Sequence, residues 1–219
     1  MSTMDFQSLE KAQLGQPLIE LAETTSTNDA LAALAHNGAT EGTAVVAGIQ
    51  TQGRGRQRRA WHSPPGLGLY LSALLRPPWS AAESGELALL GGIAVVTALE
   101  RLGVKKLTLK WPNDVLADGK KICGVLVEPA LRGDKIDFAV IGIGINILQC
   151  REDFPPELRD TATSCQLAGA ICTVEQVREA VLAALTKCYH QALRDGPSSL
   201  YAVWVEKNGS VKDDTSRAR

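Results

Sequence analysis

Between residues 53 and 59 the chain reads Gly-Arg-Gly-Arg-Gln-Arg-Arg, four arginines and two glycines in seven positions. Glycine lets a backbone approach a ligand closely and adopt positive φ. Arginine is a planar, permanently charged fork that grips a carboxylate or phosphate through two hydrogen bonds. Gly53, Arg54, Gly55 and Arg56 together are what an anion-holding loop needs, although a solvated basic loop or a nucleic-acid contact has the same composition. Trp61, just beyond, offers a face to a base or a cation, or packs in the core. A second cluster, Lys110-Trp111-Pro112-Asn113-Asp114, leaves a short strand, with Asn113 and Asp114 equally suited to a plain turn. Lys121 stands at the mouth of an apolar strand, where partial desolvation strengthens its field on a bound phosphate; a solvated lysine is the alternative. Asn146 ends the apolar run from Val140 to Ile145 and needs a partner there, protein or ligand.

The common nucleotide signatures do not account for these clusters. Gly53-x-Gly55 has Arg58 where a dinucleotide fingerprint places its third glycine, and Gly142-x-Gly144 lacks that glycine as well. Gly119-Lys120 is followed by Lys121 rather than Ser or Thr, so it is no phosphate-binding P-loop. A nucleotide, if bound, is held by another scheme.

Several elements must position these groups. Residues 18–24 read as a strand, followed by an Ala/Leu-rich helix over 28–36 for which Ser26 or Thr27 can serve as N-cap. Thr43 to Ile49 and Leu67 to Leu75 read as strands, separated by a Gly/Pro-punctuated loop over 51–66. Ser84 to Leu102 has the periodicity of a long, mostly buried helix. Short strands follow at 107–110, 122–129 and 136–142, the last two joined near Gly133-Asp134. Thr173 with Gln176 announces, as a capping box, an amphipathic helix over 174–193. Hairpin-like strands with intervening helices predict an α+β domain: a mixed or antiparallel central sheet with helices packed on one face.

Bulk properties narrow the function. With 219 residues, 45% hydrophobic and 21% charged, the chain suits one ordinary domain or one plus an appendage. A net charge of −1 gives no electrostatic case for nucleic acid or a membrane, and no apolar run approaches the roughly 20 residues of a bilayer span. The five cysteines include no CxxC pair and the three histidines are scattered, so neither zinc nor a disulfide framework is expected. Thiols in a reducing cytoplasm are expected instead, with no signal peptide at the N-terminus.

Thr25-Ser26-Thr27-Asn28, Gln50 through Arg56 to Trp61, Lys110 to Asp114, Lys121-x-x-Gly124 and Gly142-x-Gly144-Ile145-Asn146 stand in one order. In that order the chain resembles the biotin–protein ligases, the biotin–[acetyl-CoA-carboxylase] ligase family, over about residues 18–193. The resemblance implies a class II synthetase-like catalytic domain over 18–200. Ahead of it would lie an extension (1–17) without a DNA-binding domain, and behind it (201–219) a stub of, or replacement for, the small C-terminal barrel with a disordered tail. It implies that biotin and ATP, with Mg2+ as activator and no bound prosthetic group, give biotinyl-5′-AMP and pyrophosphate. A lysine of a biotin carboxyl carrier domain then takes the biotin. By resemblance Ser26, Thr27, Gln50, Gly53, Arg54, Arg56, Lys121 and Gly142 hold biotin, and Arg54, Arg56, Trp61, Asn113, Lys121 and Asn146 hold the adenylate. Lys121, Arg56 and Asp114 act in the chemistry, Asp114 also being placed near Mg2+. Arg58 departs from the family pattern, which has a third glycine there. A lipoyl or octanoyl transferase of similar fold, or a biotin-binding module without catalysis, stay open at this point, as does pairing of two copies through their sheets.

Overall fold

The computed structural model describes residues 12–208. Seven strands form one sheet in the order β1-β2-β3-β7-β6-β5-β4. They are β1 (Leu18–Thr24), β2 (Ala44–Gln50), β3 (Gly68–Leu75), β4 (Leu107–Lys110), β5 (Asp114–Ala117), β6 (Lys120–Arg132) and β7 (Lys135–Asn146). β1 and β2 run parallel, and every other neighbouring pair is antiparallel. The helices are α1 (Thr27–His36), α2 (Glu86–Arg101), α3 (Val174–Asp195) and α4 (Ser199–Asn208).

Alternation along the strands sorts the sheet into two unlike faces, because successive side chains point to opposite sides. Leu69, Leu71, Ala73 and Leu75 of β3, with Ala139, Ile141, Ile143 and Ile145 of β7, enter the main core with α2 and α3. On the other face Leu74, Phe138 and Val140 pack with Leu31 and Ala35 of α1 in a smaller cluster. Further along that second face the alternating positions are Ser72, Gly142, Gly144 and Asn146, small or polar, so nothing there closes into a core. That face carries the site.

The α+β class and the mixed sheet are as expected. Helices on one face hold for α2, α3 and α4, while α1 lies on the opposite face and walls the site. The length and apolar composition of Ala81–Arg101 match a membrane span, contrary to the expectation that no run comes close. Most of α2 is nevertheless buried against the sheet and α3, which is why its sequence is apolar nearly all round. The helix begins later than its periodicity suggests, since Ala81–Gly85 forms a 3-10 turn. The capping box of α3 forms: Gln176 N donates to Thr173 Oγ1 (3.2 Å) and Thr173 N to Gln176 Oε1 (2.9 Å). Ser26 is the N-cap of α1 but makes no side-chain capping bond. Its hydroxyl is therefore not spent on the helix.

Of the stretch expected to carry a barrel stub, the described part is helical. α4 brings Trp204 against Tyr201 (5.6 Å, stacked) and edge-on to Trp111 (6.1 Å). The expectations for residues 1–11 and 209–219 lie outside the described residues.

Candidate functional site

One cleft of about 730 Å³ opens on the α1 face of the sheet. Ser26, Thr27, Gln50, Arg54, Arg56, Trp61, Asn113, Asp114, Lys121, Gly142 and Asn146 all line it. Residues 26 and 146 come to one place because β1 leads straight into α1 above the centre of the sheet, where β7 ends. Gly53 is the one expected residue that does not line the cleft. It is buried behind it, where a Cβ would meet Ser63 Oγ at 2.8 Å and Gln50 Nε2 at 3.0 Å.

At one end the wall is uncharged and polar. Gln50 Oε1 accepts from Thr27 N (2.9 Å) and lies 3.1 Å from Thr27 Oγ1, while Gln50 Nε2 donates to Ser63 Oγ (3.2 Å). Asn28, which also lines the cleft, and Ser72 behind it are both buried. Their polar groups are linked, Ser72 Oγ lying 2.6 Å from Asn28 Oδ1 and 2.8 Å from Thr27 Oγ1. Gly142 is where the wall meets the floor, and an added Cβ there would sit 2.2 Å from Asn28 Oδ1.

At the other end the wall is cationic. Lys121 Nζ lies 2.7 Å from Asp114 Oδ1 and 5.5 Å from the centre of the Trp61 ring. The backbone of Lys121 is clamped, its N–H donating to Thr161 O (2.8 Å) and its carbonyl accepting from Thr163 N (2.9 Å). Arg56 is exposed and reaches Asn113 Oδ1 at 3.4 Å. Asn113 is in turn fixed to β6, its Nδ2 donating to Val125 O (2.9 Å). Trp61 lies on Gly124 and Gly144, and a Cβ on Gly144 would come within 2.6 Å of the indole. Trp61 Nε1 is buried and meets no hydrogen-bond acceptor among the protein groups.

Two residues of the cleft lining have polar atoms already engaged by protein groups. Asn146 finds protein partners, donating from Nδ2 to Thr163 O (3.0 Å) and accepting from Gln149 Nε2 (3.3 Å). It shapes the cleft while its polar atoms are already engaged. Arg54 turns its guanidinium to Asp29 (2.6 Å) and Glu128 (3.0 Å), and these carboxylates hold it firmly in its charged form. Glu128, Asp29 and Ser72 escaped the sequence reading, although the position of Asp29 within the first turn of a helix and of Glu128 within an apolar strand gave a faint signal. β5 was also missed, because Asp114 reads as a turn residue.

The arginine loop carries strain at two adjacent residues. Gln57 and Arg58 have φ of 56° and 57°, a region that costs a non-glycine residue about 1–2 kcal/mol. Replacing Arg58 by glycine relieves that cost, and the freer unfolded chain offsets about 0.4–1 kcal/mol of the gain. Arg58→Gly is therefore expected to keep its melting temperature within about 3 °C of the parent, or to raise it. A larger fall in a thermal melt would show that the position uses the arginine side chain rather than the backbone.

The five cysteines are free; Cys123 and Cys165 are buried with Cys172, and desolvation pushes their thiols up. None is among the residues lining the cleft.

Comparison with known proteins places this geometry. Residues 20–146 match the profile of the Biotin/lipoate A/B protein ligase family. The chain is 40% identical over 197 residues to the bifunctional ligase/repressor BirA of Bacillus subtilis, covering 90% of this chain and 61% of that protein. It is 38% identical over 142 residues to the biotin–[acetyl-CoA-carboxylase] ligase of Mycobacterium tuberculosis, covering 63% of this chain and 52% of that one. The chain thus spans about six-tenths or less of the length of these relatives. The structure of the biotin protein ligase from Aquifex aeolicus in complex with biotin and ATP superposes with a TM-score of 0.73 at 34% identity, covering 87% of this chain and 77% of that one.

Proposed function

The chain belongs to the Biotin/lipoate A/B protein ligase family, and from that premise we propose that it joins biotin to AMP at the expense of ATP and then passes biotin to a lysine of a carrier domain. The observation that carries this reading is one cleft with two chemically opposite ends. The polar wall of Ser26, Thr27 and Gln50 suits the ureido ring, and the Arg56–Lys121 end suits the carboxylate and the α-phosphate. A biotin carboxylate oxygen attacks the α-phosphorus of ATP, the bond to the bridging oxygen breaks, and pyrophosphate leaves. Negative charge crowds where carboxylate and phosphate meet, so fixed cations lower the barrier by being in place beforehand. In the second step an acceptor amine attacks the acyl carbon, AMP leaves, and the amine loses its proton. No enzyme nucleophile is required.

A magnesium ion fits this cleft only as a companion of the nucleotide. Among the described residues no three His, Cys, Asp or Glu side chains converge on one point. Asp114 is the carboxylate nearest the cationic end, and Lys121 already occupies one of its oxygens. Mg2+ is commonly held by one or two carboxylates together with substrate phosphates. In that arrangement Asp114 would be its protein ligand, and the ion would neutralise phosphate charge. The same reading puts the reaction in a reducing cytoplasm, in keeping with five free thiols.

The test is incubation with ATP, Mg2+, a carrier domain and, in separate arms, biotin, lipoate or octanoate. Pyrophosphate release with biotin, and a mass gain on the carrier equal to one biotinyl group, is the expected result. Gain only with lipoate or octanoate would move the chain to the other branch of its family. Binding of biotin without mass gain would leave a non-catalytic binder.

A further inference from the structure

We propose that Glu128, which does not itself line the cleft, is a positioning residue that selects for ring N–H groups in the substrate by fixing the hydrogen direction of Thr27. The proposal rests on the biotin reading above and goes further, in assigning specificity to a side chain outside the pocket.

The inference follows from counting hydrogens along a chain of contacts. The Glu128 carboxylate only accepts. It takes Arg54 Nε (3.3 Å) and Nη2 (3.0 Å), and its Oε2 takes Asn28 Nδ2 (2.7 Å). The Asn28 amide is thereby turned one way, NH2 toward Glu128 and oxygen toward Ser72, because the flipped amide would set oxygen against carboxylate. Asn28 Oδ1 can only accept, so the single hydrogen of the Ser72 hydroxyl goes to it at 2.6 Å. The Ser72–Thr27 contact at 2.8 Å is then a hydrogen bond only if Thr27 donates. Thr27 has one hydroxyl hydrogen, and this contact uses it.

The consequence appears on the cleft side. Gln50 cannot flip, since its Oε1 must accept from Thr27 N–H at 2.9 Å and its Nε2 donates to Ser63. Thr27 Oγ1 and Gln50 Oε1 are therefore two acceptor oxygens 3.1 Å apart with no hydrogen left to put between them. They form a seat for an N–H donor from the ligand. A cyclic urea fills it; a dithiolane or a hydrocarbon chain cannot. The Glu128 side chain is 40% exposed, so it acts through direction of acceptance at short range rather than through a strong field. Arg54, held also by Asp29, keeps that carboxylate in place.

The experiment measures Kd by calorimetry for biotin and for biotin methylated on one or other ring nitrogen. The proteins are the wild type, Glu128→Met, Ser72→Ala and Asp29→Asn, each checked by thermal melting. Ser72→Ala removes the acceptor for the Thr27 hydrogen, which then turns to Gln50 and closes the seat. Glu128→Met removes the near acceptor of the Asn28 amide and leaves only the long contact to Leu126 O (3.5 Å), so that the amide can flip, with the same result at the seat. In the wild type, at least one methylated compound is expected to bind more weakly than biotin by about tenfold or more, the scale of an unmade buried hydrogen bond. In Glu128→Met and Ser72→Ala that ratio falls toward one because biotin binds more weakly while the methylated compound does not. Asp29→Asn, which leaves the Arg54–Glu128 and Glu128–Asn28 bonds in place, keeps the wild-type ratio. Wild-type selectivity retained in both Glu128→Met and Ser72→Ala overturns the role of Glu128, and equal wild-type binding of all three compounds overturns the acceptor seat. Failure of the wild type to bind biotin at all would instead overturn the ligase reading itself.

Discussion

Lys121→Ala should lower the rate of pyrophosphate release by about 10²- to 10³-fold, the effect of losing one preorganised charge at a developing anion. The fold should survive. The Lys121–Asp114 pair has side chains 36% and 23% exposed, and such a partly solvated pair contributes about 0–1 kcal/mol. For a chain of this size that corresponds to a melting shift of about 4 °C at most. Catalysis and stability are thus expected to separate by a wide margin in one variant. Rates within threefold of the parent, measured with saturating biotin and ATP, would remove Lys121 from the chemistry.

The second large effect is steric. Gly142→Ala would put a methyl 2.2 Å from Asn28 Oδ1 and 2.9 Å from its Cγ. The asparagine cannot step aside cheaply, since Glu128 and Ser72 hold both ends of its amide. Biotin affinity should fall by about 10²-fold, because the displaced amide invades the polar end of the cleft and leaves buried groups unpaired. Overpacking of this kind typically costs 1–3 kcal/mol of stability, or about 2–12 °C in melting temperature. Gly85→Ala is the control, as that position has open space around it and no positive φ. Calorimetric affinity unchanged in Gly142→Ala would mean that biotin does not use this corner of the cleft.

What could be read in the residues beforehand depends on how local the cause was. Strands β2, β3 and β7 were legible because alternation and β-branched runs are local signals. The capping box of α3 was legible for the same reason. The convergence of Thr27, Gln50, Lys121 and Asn146 was not visible in any one segment. It came from resemblance, since pattern alone leaves each of them a bland alternative. The placement of α1 on the opposite face escaped because both faces of β3 and β7 are apolar near Leu74 and Val140. Amphipathicity alone does not tell such a helix which side to choose. The carboxylates that hold Arg54 were not legible for a related reason: Asp29 and Glu128 lie 25 and 74 positions away, and nothing local reveals that they meet.

Of the four tryptophans in the chain, Trp61 is the one that lines the main cleft. Trp79 belongs to the core, and Trp111 and Trp204 touch each other at the outer strand. Trp61 lies beside the Lys121 ammonium and its N–H has no acceptor, so any occupant of the cleft alters its electrostatic and hydrogen-bonding surroundings. Indole emission is sensitive to both. The protein thereby carries an optical probe at the seat of its own chemistry, and the light it emits can time the arrival of each substrate without a label.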